Sequence, residues 1–211
     1  LGTARIVLRS FDRDKKLPVL CNAYTYMPFI HWPFIGKKHD GKLSGYAQLA
    51  LFYDKFKDHT DVAMASIYNY RSLLHFRIMQ QMPLNYADGI KMLRLLIPGL
   101  FIAGIFHPAE YNNENYIQLQ ENELAFTKDI LHTHYAYSSA EEIKIKETEK
   151  QISKAIQSLK SIVLKKIRTL TGASIHYAGT LPFSDNDQKF SVSPQGKLYH
   201  TKNVFIADGS G

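Results

Sequence analysis

Apolar residues recur along this chain with two periods, and the switches between them mark out its elements. From Thr3 to Arg9, Ile6, Val7 and Leu8 stand among basic residues, which predicts a short helix that F-D-R-D-K-K-L-P then breaks. Leu17 to Asp40 holds Pro18, Pro28 and Pro33 among Tyr24, Tyr26, Phe29, Trp32 and Phe34. Proline disfavours regular elements while aromatic side chains have large apolar areas to bury, so an irregular but packed loop is expected. A lid or membrane-contact loop is the alternative. Leu43 to Tyr53 and Asp61 to Ile67 read as strands. Ser66 to Gln81 has helical spacing at Ile67, Tyr70, Leu74 and Ile78, and a helix is expected after Pro83 with Ala87, Ile90, Leu93 and Ile97 on one face, ending at Pro98-Gly99.

Four further strands are predicted at Leu100 to His107, Asn115 to Leu119, Leu124 to Lys128 and Leu131 to Tyr137, joined by short polar turns. Ser139 to Leu170 then opens with an N-cap and an acidic first turn. It carries an apolar stripe through Ile145, Ile152, Ile156, Leu159, Val163, Ile167 and Leu170, which predicts one long helix. Short connections between strands imply antiparallel pairing. The fold expected is therefore α+β, an antiparallel sheet of about six strands backed by helices.

Composition narrows this picture only slightly. The 211 residues suffice for one substantial core, and 45% hydrophobic content is that of an ordinary globular chain. The net charge of +7 invites a nucleic-acid or anionic-membrane reading, but the basic residues are scattered and their densest group reads as a solvated helix face. Its densest basic stretch, Lys144 to Arg168, is preceded and interrupted by Glu141, Glu142, Glu147 and Glu149, and no nucleic-acid motif accompanies it. Cys21 is the sole cysteine, which excludes an intrachain disulfide and a thiolate metal cluster and fits a reducing compartment such as the cytoplasm. The longest apolar run, Leu95 to Phe106, is broken by Pro98 and falls short of the roughly 20 residues a span needs. It reads as a helix end followed by a buried strand, with no transmembrane segment and no signal peptide.

Candidate chemistry concentrates at the end of the chain. In S-I-H-Y-A-G-T-L-P, His176 precedes Ala178, Gly179 and Thr180, small residues that let backbone bend closely around a flat ligand while one imidazole projects. An imidazole that titrates near neutrality is suited to take a proton from a substrate. Val204 to Ala207 is a short apolar run without helical period that stops at Asp208-Gly209-Ser210, and it is expected to be a buried strand with a polar turn at its carboxyl end. His132 and His134 alternate on a strand and share a face, open to three readings: a metal pair, a substrate-facing surface or an ordinary strand face. No carboxylate or cysteine stands beside them with metal-like spacing, so no metal site is assigned. His107 and His200 read as structural. No G-x-G-x-x-G occurs anywhere.

These C-terminal residues carry a resemblance. H-Y-A-G-T followed by N-V-F-I-A-D-G-S is similar to the C-terminal signature of the glucose-methanol-choline flavoprotein oxidoreductases, and L-G-T-A-R-I-V-L-R-S-F at Leu1 to Phe11 resembles the segment that closes that family's flavin-binding portion. The resemblance implies FAD as cofactor, with His176 as the base facing the flavin and Ala207, Asp208, Gly209 and Ser210 contacting the cofactor. It implies an alcohol as substrate: a sugar, polyol, choline-like alcohol or sterol. Ile175, Tyr177 and His134 are candidate substrate contacts. By this likeness residues 1–16 end the flavin-domain segment, 17–173 form a substrate-binding domain and 174–211 form the active-site loop and return strand. The glycine-rich start, and a second His or Asn downstream, are expected to lie outside this chain, leaving it inactive and without FAD when alone. A noncatalytic alternative is a binding or assembly domain that presents the basic stretch of Ser139 to Leu170 to an acidic partner.

Overall fold

In the computed structural model, residues 1–38, 47, 49–55, 61–69, 79–80, 83–173 and 176–211 are described, and helices mix with antiparallel sheets among them in an α+β fold. The elements are α1 (Gly2–Phe11), β1 (Leu17–Pro18), β2 (Leu20–Cys21), β3 (Tyr24–His31), β4 (Leu49–Asp54), β5 (Val62–Asn69), α2 (Tyr86–Leu96), β6 (Leu100–Phe106), β7 (Tyr116–Glu121), β8 (Asp129–His134), α3 (Ser139–Ser158), β9 (Ser161–Val163), β10 (Ile167–Arg168) and β11 (Tyr177–Ala178). They fall into two compact units. The first takes in Leu1–Ala23, Ala109–Glu141 and Leu170–Gly211, and the second Tyr24–Pro108 and Glu142–Thr169. No helix among the described residues is long and apolar enough to cross a membrane.

In the first unit α1 buries Ala4, Val7 and Leu8, three and four residues apart, in a core with Leu17, Val19, Ile117, Leu181, Val192 and Leu198. A sheet in the order β1-β7-β8 and a two-stranded ribbon of β2 and β11 complete it. Asp129, buried at the start of β8, receives Arg5 of α1, Arg9 Nε at 2.7 Å and Arg13 at 3.4 Å. The Arg5 hydrogen bond foremost, with that of Arg9, outweighs burial and holds this carboxyl below the usual carboxylate range. The strand expected at Leu124 to Lys128 is instead the loop of the β7–β8 hairpin. Glu121 already pairs with Asp129, so the residues between must turn. The Asn122 side chain accepts from the Leu124 amide at 3.0 Å, Lys128 takes φ 61°, and Leu124 and Phe126 are fully exposed.

The second unit is built on a six-stranded antiparallel sheet in the order β10-β3-β6-β5-β4, with β9 also on the outer edge of β3. Alternation sorts its side chains. Met27, Phe29, Ala65, Ile67, Ala103 and Ile105 pack with Ile152 and Ile156 of α3 on one face. At Gly104, on the opposite face, an added Cβ would lie 2.0 Å from the Tyr24 hydroxyl, so glycine is needed to make room for that ring. The helix expected to begin at Ser66 does not do so: 66–69 finish β5, whose even spacing is satisfied by pairing with both β4 and β6. Met79 and Gln80 are helical, while 70–78 and 81 lie outside the described residues, as do 43–46 and 48 of the first predicted strand. The helix after Pro83 forms as α2, with the Asn85 side chain accepting from the Asp88 amide.

Two expectations fail here for connected reasons. The aromatic stretch predicted as a loop contains the eight-residue strand β3, with Pro28 in its middle. Proline has no amide hydrogen to donate, yet Pro28 still faces Ile102 of β6, and its carbonyl accepts from the Leu164 amide at 2.9 Å on the other edge. On that edge Phe29 faces Val163 but Tyr26 faces Ile167, so four residues span what three cover in β3. This bulge lies where the missing donor would have been. The segment supplying it is the end of the expected Ser139–Leu170 helix. The helix stops at Ser158 instead, Lys160 takes φ 55°, and Val163 and Ile167 pair with β3 rather than extending the apolar stripe. Within its observed bounds α3 carries Glu141, Glu142, Glu147 and Glu149 against Lys144, Lys146, Lys150 and Lys154, so it is balanced in charge rather than basic. Its start is as predicted: Ser138 and Glu141 exchange side-chain and amide hydrogen bonds in a capping box.

Beneath α3 lies a buried polar cluster. Thr25 Oγ1 donates to Glu149 Oε1 at 2.9 Å and lies 3.1 Å from His107 Nε2, so with its proton committed to Glu149 it accepts from the imidazole. Arg168 donates through Nε to Glu149 at 2.7 Å and through Nη1 to Glu142 at 2.8 Å. Burial pushes Glu149 up, but the bonds from Arg168 and Thr25 outweigh it and hold the carboxyl below its usual range. Burial pushes His107 down to about 4 from 6.5. The unfolded chain then binds a proton at His107 that the folded chain refuses between these two values, and stability falls as pH drops through that window, by up to about 3 kcal/mol. We expect urea unfolding of His107→Gln to lack this portion of the acid loss between pH 6.5 and 4; an unchanged pH slope would refute the assignment.

Candidate functional site

The sequence motifs at 176–180 and 207–210 are about thirty residues apart, and the first unit brings them together. β11 pairs with β2, Tyr177 opposite Cys21 and Ala178 opposite Leu20. Gly179 follows with φ 68°, a left-handed conformation that favours glycine, and an added Cβ would press on Leu20 Cδ1 at 3.0 Å. The turn delivers Thr180 and Leu181, both buried, to the Ser210 carbonyl, which accepts from the Leu181 amide at 2.6 Å and from Thr180 Oγ1 at 3.5 Å. Tyr177 turns its hydroxyl back to the Gly172 carbonyl, and burial pushes that phenol up.

Asp208 ties the same junction to the beginning of the chain. One carboxylate oxygen accepts from Thr3 Oγ1 at the start of α1, and the other from the Ser210 amide at 2.9 Å. These two partners, Thr3 foremost, hold the carboxyl below its usual range and keep it ionised. Ser210 is buried, whereas Ala207, Asp208 and Gly209 are exposed. Gly209 differs from Gly179: an added Cβ would meet the Tyr177 carbonyl only at 3.4 Å, an ordinary contact.

The expected buried strand at Val204 to Ala207 is corrected. It does not join the six-stranded sheet, and it is an irregular extended segment with Val204 and Phe205 exposed, the latter 62%. Val204 O accepts from Leu198, the Ile206 amide donates to Gly196, and a single bridge joins Phe205 to Lys197. Ile206 of the run packs against the core.

The remaining candidates separate. His176 is exposed at the entrance to β11, and Ile175 lies outside the described residues. His132 and His134 are exposed together on the outer face of β8, and His134 stacks on Tyr116 with ring centroids 5.2 Å apart. The next residue, Tyr135, is the one directed at the junction: its hydroxyl donates to the Cys21 carbonyl at 2.9 Å, and Cys21 is the ladder partner of Tyr177. Thr3 and Tyr135 are therefore site-supporting residues that sequence reasoning missed. Strand alternation, which put His132 and His134 on one face, already put Tyr135 on the other, but Thr3 had no local signal at all.

No protein-family model matches this chain, and no curated protein matches its sequence. The geometry yields a paired test. Gly179→Ala is expected to lower unfolding free energy by at least about 1–2 kcal/mol, the cost of a left-handed residue with a side chain, while Gly209→Ala stays near wild type in the same urea melts. Equal stability of the two variants would show that the turn at Gly179 is not needed to seat Thr180 and Leu181.

Proposed function

We propose that this chain is the substrate-binding part of an FAD-dependent oxidoreductase acting on the CH–OH group of an alcohol, with His176 as its base. The observation that carries the reading is the junction itself. The two C-terminal motifs and the segment at Leu1 to Phe11, the three places where the sequence resembles glucose-methanol-choline oxidoreductases, are joined by the bonds of Ser210 to Leu181 and of Asp208 to Thr3. A resemblance confined to local sequence gives no reason for these segments to meet.

The residues present suit a flavin in kind. Ala207 and Gly209 offer small, exposed backbone that a ring system or ribityl chain can approach, and the Asp208 carboxylate, exposed and ionised, is already oriented by Thr3 and Ser210. FAD, when bound, supplies the two-electron acceptor for the hydride leaving the carbinol carbon. The chain's own work is at the neighbouring O–H bond: the His176 imidazole takes the hydroxyl proton as the C–H bond breaks, so the alcohol loses a hydride and a proton and becomes a carbonyl. The ribbon of β11 with β2 holds the residues that follow His176 in place.

The test uses the chain together with the sequence that flanks it. FAD is expected to copurify and to be bleached anaerobically by a primary or secondary alcohol. His176→Ala is expected to slow that reduction by about 10²-fold or more with flavin content unchanged, because a base acts in the transition state and not in cofactor retention. A variant that reduces its flavin at wild-type speed, or a protein that retains no flavin, would overturn the reading.

A further inference from the structure

We infer that the outer edge of the six-stranded sheet is a docking surface for an anionic phospholipid bilayer. The inference is independent of the flavin reading, since it rests only on the second unit. β9 and β10 run along β3 as a broken edge, and the register places Ile162 opposite Ile30 and Ile167 opposite Tyr26, on the sheet face turned away from α3. Leu164 bonds to Pro28 between them. Instead of being covered, Ile162 is 44% exposed, Leu164 51% and Ile167 44%. Trp32 continues the line: its amide donates to the Lys160 carbonyl at 3.2 Å, and its side chain is 52% exposed.

An apolar edge of this kind is rare on a solvated strand, where charge usually protects against pairing. Charge is present here, but of one sign. Lys160, Lys165 and Lys166 are exposed among the apolar residues, and the stretch from Leu159 to Thr169 contains no aspartate or glutamate. Its one further cation, Arg168, is committed to Glu149 and Glu142. Nor do the residues of β3, β6, β9 and β10 on this face include an acid. Apolar side chains that can enter an acyl boundary, a tryptophan at their end and lysines that reach phosphate are the combination that interfacial segments use. An acidic protein would satisfy the lysines but leave Ile162, Leu164 and Trp32 without an apolar partner, which favours the bilayer.

Trp32 is the only tryptophan of the chain, so its emission reports this edge directly. With vesicles of neutral phosphatidylcholine containing about one-third phosphatidylserine, we expect the chain to float with the lipid and Trp32 emission to shift to the blue and be quenched by brominated acyl chains. Pure phosphatidylcholine should bind at least about tenfold more weakly, and high salt should weaken the anionic case towards it. Lys160→Gln, Lys165→Gln and Lys166→Gln combined, surface changes that leave the ladder untouched, should lose about tenfold or more in partitioning. Ile162→Ser with Leu164→Ser should abolish the blue shift while circular dichroism stays that of the parent. The inference is overturned by absence of flotation, by equal binding to neutral vesicles, by a triple variant that partitions like the parent, or by a Trp32 shift elicited by polyglutamate and not by lipid.

Discussion

A carboxylate buried without compensation cannot stay charged, and Asp129 meets that constraint by recruiting an entire helix. Arg5 and Arg9 lie one turn apart on α1, and Arg13 follows just past its end, so all three guanidinium groups reach one carboxylate at the start of β8. The apolar stripe of Ala4, Val7 and Leu8 decides which side of α1 is buried, but apolar contact alone permits sliding and rotation. The directional bonds to Asp129 select one register. That register puts Thr3 at Asp208, and hence defines the turn on which the candidate cofactor contacts stand.

The second unit depends on a comparable compensation at Pro28. A proline in a strand paired on both edges leaves one acceptor of the neighbouring strand without its donor, and the bulge of β9 and β10 absorbs the loss by adding a residue opposite it. The bulge in turn holds Lys165 and Lys166 at the surface and Arg168 over Glu149. One covalent peculiarity of β3 thus shapes both the exposed edge, with its lysines and apolar residues, and the buried cluster of Thr25, His107, Glu149 and Arg168. The two features have opposite electrostatic character for a physical reason. Arg168 alternates to the covered face, where carboxylates await it, and the lysines of the bulge do not.

Proposed chemistry and proposed docking occupy different units and draw on different residues. The proposed chemistry rests on the His176 imidazole and on the small, exposed 207–209 turn, which is tied down by the bonds of Ser210 to Leu181 and of Asp208 to Thr3 and Ser210. The docking proposed for the β9–β10 edge rests on side chains alone. The two proposals are separable, one resting on each unit, and each property can be present without the other.

Much was legible in the chain by itself. Periodicity, apolar runs and cap residues located α1, α2, β5, β6, β7 and β8 and the start of α3, because burial and capping leave their pattern in the sequence whatever the partner is. The glycine at 179 and the cluster of small residues around it also showed, since backbone strain has a local signature. What failed was decided by partners distant in sequence. Val163 and Ile167 continue the stripe of α3 at helical spacing, and only the free edge of β3 makes them strands. Leu124 and Phe126 look apolar enough for a strand, yet the pairing of Glu121 with Asp129 leaves them in the loop. Val204 and Phe205 look buried in the sequence but are exposed. Thr3, with Asp208 two hundred residues away, is the limiting case. A hydrogen bond between two short polar side chains needs both to be placed by other forces first, so the sequence determined which residues could make it and the tertiary structure alone decided that they would.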